Sequence, residues 1–122
     1  LIVKPHPNCP IIAENYPDLK MHITMDSISN LLNKCDVAYT SAFTSAAIDA
    51  YCAGLMVVSV CDLKYLNMSP LMEIDGVVFI STEDELIKAI DKVKIESRKN
   101  IDPKDFFWLD PLLPRWNTLL LS

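Results

Sequence analysis

The stretch that most constrains this chain is Asp36–Val60, DVAYTSAFTSAAIDAYCAGLMVVSV. Val37–Tyr39 reads as a short buried strand. Leu55–Val60 is β-rich and almost continuously apolar, the pattern of a central parallel strand covered on both faces. Between them lie a hydroxyl-rich turn and a helix expected from about Thr44 to Ala53, with Gly54 as its C′ stop. Ala46, Ala47, Ala50 and Ala53 keep that helix thin, so it can pack close to a sheet. Strand, turn, helix, strand is a βαβ unit. Thr40, Ser41, Thr44 and Ser45 fall where its strand gives way to its helix. Such a junction offers unbonded main-chain N–H groups and the positive end of a helix dipole, and the hydroxyls add donors, so it suits an anion such as phosphate.

The remaining segments extend the same alternation. Leu1–Lys4 reads as the end of a buried strand, running into Lys4-Pro5-His6-Pro7. The prolines fix their own φ and push the residues before them into extended geometry, which holds His6 rigidly at a strand end. Asn8–Lys20 is a loop or irregular helix, Lys20–Thr24 a short strand, and Asp26 or Ser27 caps a helix running to Lys34. Asp62–Gly76 is a long loop and Val77–Ile80 the last strand. Thr82-Glu83-Asp84-Glu85 is a capping box that opens a helix expected to reach about Lys99, with Leu86, Ile87, Ile90 and Val93 inward. The fold class predicted is α/β: a Rossmann-like parallel sheet with helices on both faces, spanning residues 1–101. Residues 102–122 form an apolar tail carrying Phe106, Phe107, Trp108, Trp116 and Leu119–Leu121, with Pro111 and Pro114 against any long helix. The tail is expected to pack back on the domain or on a missing N-terminal one.

Composition narrows the function classes. With 122 residues and about half of them apolar, the chain suits one globular domain. A net charge of −5 argues against non-specific nucleic-acid binding, which runs on clustered Lys and Arg, but local dipoles can still hold an anionic small ligand. No apolar run approaches the roughly 18–20 residues that span a bilayer. Cys9, Cys35, Cys52 and Cys61 lack CxxC spacing and read as free thiols of a reducing cytoplasm, with no metal site expected. The abrupt start on LIVKPHP reads as mid-strand, so a neighbouring domain is expected to carry part of the function.

Gly54 and Gly76 are the only glycines, so neither GxGxxG nor a P-loop is present. GxSxG is absent too. Ser41 as nucleophile with His6 as base is conceivable, but four hydroxyls within Thr40–Ser45 fit an anion cradle better. Ligands of parallel α/β sheets bind at the carboxyl ends of the strands, where both KPHP and the hydroxyl turn are expected. His6 is read as a ligand contact in preference to a structural histidine. Lys4 either pairs with phosphate or is solvated, and His22 alternates in a strand as a packing or surface residue. Asp49 lies one helical turn after Ser45 and reads equally as a ribose ligand or an exposed polar residue.

KPHP at a strand end, followed by Asp36-x-x-x-Thr40-Ser41-x-x-Thr44-Ser45-Ala46-x-x-Asp49-Ala50-x-x-x-Gly54 and then TEDELIKAI at 82–90, resembles the C-terminal domain of GT-B glycosyltransferases. The nearest flavour is the bacterial surface-carbohydrate enzymes of capsule and polysialic-acid synthesis. The resemblance covers about Leu1–Val93. Asp49 stands where many of these enzymes have glutamate, and Met56 where the family has proline.

The resemblance implies a domain that binds a nucleotide-sugar donor, CMP-, UDP- or CDP-linked, as substrate and without a cofactor. His6 would contact nucleotide phosphate or sugar, Thr44 and Ser45 the phosphate alongside Thr40 and Ser41, and Asp49 the ribose. The catalytic base and acceptor site would come from the N-terminal domain, so the isolated chain is expected to be inactive. A cytoplasmic location is implied, with the inner membrane face as the place the parent protein would take it. Two other readings stand: half of a nucleotide-sugar 2-epimerase-like enzyme, and a non-catalytic α/β interaction module.

Overall fold

The computed structural model describes residues 1–64, 66–93, 100–102 and 112–120. It is an α/β fold with parallel strands. Strands β1 (Ile2–Val3) and β2 (His22–Ile23) form a parallel pair, with Ile2 opposite His22. Strands β3 (Val37–Ser41), β4 (Met56–Val60) and β5 (Val77–Ile80) form a three-stranded parallel sheet with β4 in the centre. Leu55–Val60 thus takes the central place its almost continuous apolar run demands: Val57 and Val58 are fully buried although they face opposite sides.

Helices cover both faces of this sheet. Helix α1 (Ile28–Leu32) packs against α2 (Ala46–Cys52), which lies on β3 and β4. On that face Ala47 and Ala50 meet Val57 and Leu71, with Ala38, Val77 and Phe79 alongside. Helix α3 (Glu83–Val93) covers β4 and β5 on the other face, where Ala89 packs with Val58 and Ile80. On the same face Tyr39 of β3 is 59 % exposed.

Local signals explain the boundaries. Ser27, the second of the two expected caps, accepts from the Asn30 N–H and starts α1. Helix α2 ends in a Schellman motif: Gly54 takes φ 78°, its N–H donates to the Tyr51 carbonyl, and the Leu55 N–H donates to that of Ala50. The capping box is complete, with the Glu85 N–H bonded to Thr82 Oγ1 and both the Ser81 and Thr82 N–H groups bonded to Glu85 Oε2.

The inward face of α3 differs from the one expected. Leu86 and Ala89 face the sheet, while Ile87 and Ile90 are 59 % and 42 % exposed. Helical spacing alone admits either stripe; the small Ala89 lets the helix axis come close to β4 and β5, which turns the isoleucines outward. The expected continuation of α3 through residues 94–99 lies outside the described residues. So do Phe106, Phe107, Trp108 and Leu121 of the tail. Its described part is helix α4 (Pro114–Leu120), with Pro114 at the first helical position, where its missing N–H costs nothing. Trp116, Leu119 and Leu120 are exposed. Among the described residues, no helix is long and apolar enough to cross a membrane.

Candidate functional site

Thr40, Ser41, Thr44, Ser45 and Asp49 all belong to the β3–turn–α2 unit at the carboxyl end of β3. The turn is held by its own backbone. The Ala42 N–H donates to the Val60 carbonyl and ties the turn to the end of β4, and the Ala47 N–H donates to the Thr44 carbonyl. Thr44 Oγ1 accepts from the Ala46 N–H, so this hydroxyl already caps the helix start. The helix begins at Ala46, two residues later than its composition suggests, because Thr44 spends its side chain in that turn and Ser45 sits in helical geometry without a capping bond. At seven residues α2 carries a smaller macrodipole than the longer helix expected from sequence. Two main-chain N–H groups of the turn, those of Phe43 and Ser45, donate to no atom of the described residues.

The six sequence-derived candidates differ in what they can reach. Ser41, Ser45 and Asp49 are exposed, and Thr44 is half-buried. Thr40 Oγ1 is shut off from solvent, because strand alternation turns it to the face covered by α2. Asp49 follows Ser45 by one turn, its N–H bonded to the Ser45 carbonyl. Burial raises the Cys52 pKa, and the nearby Asp49 carboxylate raises it further, which favours the thiol over the thiolate.

His6 stands at the carboxyl end of β1, in the two-stranded sheet, and no hydrogen bond among the described residues joins it to the hydroxyl turn. It opens a tight turn in which the Cys9 N–H donates to the His6 carbonyl and Pro7 takes the second position, where its fixed φ is preferred. The Asn8 N–H donates to His6 Nδ1 at 3.1 Å. Nδ1 is thus the acceptor of this bond, which leaves Nε2 of the exposed ring as the nitrogen that can donate. Lys4 Nζ donates to the Met25 carbonyl, which ties the KPHP segment to the chain leaving β2. His22 is exposed.

Three residues of this region escaped the sequence reading. Asn8 orients His6 through its main chain, which no side-chain pattern reveals. Phe43, at the centre of the turn, is 63 % exposed. Ser59, the one polar residue of the Leu55–Val60 run, is a fully buried neighbour of Thr40; that single hydroxyl in an apolar strand was the available signal. All four cysteines are free, and no group of three or more His, Cys, Asp or Glu capable of holding a metal occurs among the described residues. Compared with protein-family models, with curated proteins and with solved structures, the chain matches none.

Proposed function

We propose that this chain is the donor-binding domain of a glycosyltransferase of surface-polysaccharide synthesis, with the phosphate of a nucleotide-sugar held by the turn after β3. The observation that carries the reading is the turn itself. Ser41 and Ser45 expose their hydroxyls beside the undonated N–H groups of Phe43 and Ser45, at the carboxyl end of a parallel strand. These four groups are donors suited to an anion, in a protein of net negative charge. Nε2 of His6 adds a donor at a second strand end, and Asp49 supplies a carboxylate for ribose hydroxyls. These groups stabilise charge on a departing nucleotide. The base and acceptor site belong to a second domain in this reading, so the chain alone binds donor without transferring sugar. The work is done on the cytoplasmic side, at the inner membrane face.

Titration of the 15N-labelled chain with CMP, UDP and CDP, followed by amide shifts, tests this. Shifts confined to His6 and residues 41–49 are expected. No response at millimolar nucleotide sinks the proposal. A second reading, a non-catalytic interaction module, is favoured by Phe43, whose exposed ring sits in the same turn. It predicts that Phe43→Ser leaves the nucleotide response absent, as in the unsubstituted chain, and abolishes capture of a partner protein.

A further inference from the structure

Thr40 on β3 and Ser59 on β4 are register partners in neighbouring parallel strands, so their side chains stand side by side on the same face of the sheet. That face is the one on which Ala38 and Val57 meet Ala47 and Ala50 of α2. Ser59 is 1 % exposed, and both Thr40 Oγ1 and Ser59 Oγ are cut off from solvent with no hydrogen-bond partner. The strand carbonyls beside them are engaged in the ladder and are not aimed across the face. Each hydroxyl has one donor and two acceptor positions to fill. Leaving a buried hydroxyl unmade costs more than a typical hydrogen bond returns, and buried polar groups of folded proteins are almost always satisfied by protein or by ordered water.

We infer that Thr40 and Ser59 form an internal hydration site, in which one water molecule bridges Thr40 Oγ1 and Ser59 Oγ between the sheet and α2. The two hydroxyls give a bridging water two partners, enough for an ordered internal water, and the α2 residues buried against this face are the small Ala47 and Ala50. The bridge joins β3 to β4 one residue before the end of each strand, immediately below the bond from the Ala42 N–H to the Val60 carbonyl. It is therefore a brace on the base of the hydroxyl turn. The site stands or falls independently of any nucleotide.

The test uses the full chain and the variants Thr40→Val, Ser59→Ala and the double. Each single variant leaves one hydroxyl with half a bridge, whereas the double leaves none to satisfy. The double is expected to unfold at a denaturant midpoint no lower than that of the weaker single. Fully additive losses overturn the inference. A direct hydroxyl–hydroxyl bond would also give coupling, so a second readout separates the two. Water-to-protein nuclear Overhauser effects at Thr40 and Ser59 are expected in the parent chain and lost in both single variants. Their absence from the parent chain overturns the bridge even if the midpoints are coupled.

Discussion

At the scale of the residue, one polar side chain of the turn unit separates binding from folding. Asp49 is exposed and makes its main-chain bonds through N–H and carbonyl, not through the carboxylate. Replacing it by alanine in a helix should change stability by no more than about 0.5 kcal/mol. A lost hydrogen bond from ribose to a charged group is worth about 1.5–3 kcal/mol, roughly tenfold or more in affinity. Asp49→Ala is therefore expected to weaken binding of CMP or UDP by at least about tenfold, and of their 2′,3′-dideoxy analogues hardly at all, by titration calorimetry. Equal losses for both sugars would remove Asp49 from the site. The polar residue types of this unit were readable from sequence because a strand-to-helix junction needs them. The direction of each was not: Thr40 and Ser41 are adjacent in sequence, yet alternation buries the hydroxyl of one and exposes that of the other.

Among the elements, caps were legible because their chemistry is local. Gly54 and the Thr82–Glu85 box sit where the sequence places them, and both give sharp expectations. Gly54 holds φ 78°, a region that costs a residue with a Cβ about 1–2 kcal/mol. Gly54→Ala should lower the unfolding free energy by about that amount in a urea titration, while Gly54→Asn should lose less, since asparagine tolerates the left-handed region. The Ser81 N–H bond, with that of Thr82, lowers the pKa of Glu85 against a smaller opposing effect of burial. A carboxylate with a depressed folded-state pKa stabilises the fold above its unfolded value and stops doing so as the pH falls through the folded one. Glu85→Gln should thus be less stable than the parent near neutrality, and the gap should close as the pH drops below the ordinary glutamate range. A gap that is constant down to acid pH would assign the effect to shape and not to charge. The rotation of α3 was not legible, because 86, 87, 89 and 90 form overlapping helical stripes and only the sheet beneath decides between them.

For the molecule as a whole, the alternation of strands and helices was enough to indicate a parallel α/β fold, since parallel strands require crossovers. The division into a two-stranded and a three-stranded sheet was not, because pairing is a long-range property that a two-residue strand such as Ile2–Val3 does not encode. A two-stranded ribbon is marginal by itself, whereas β4 is bonded on both sides and buried on both faces. Hydrogen exchange should find Val57–Val60 slowest and the β1–β2 amides His22 and Thr24 faster, and equal protection would mean that the two sheets open as one unit. The position of β3 has a further consequence. It lies at the margin of its sheet with Tyr39 uncovered, so a row of unpaired N–H and carbonyl groups stands beside an exposed aromatic ring. Such a margin is a template for strand addition. Nothing charged on β3 itself opposes this, since Val37–Ser41 carries no Lys, Arg, Asp or Glu. Strand addition at this margin is therefore a route to self-association at high concentration, through the same strand that carries the hydroxyl turn.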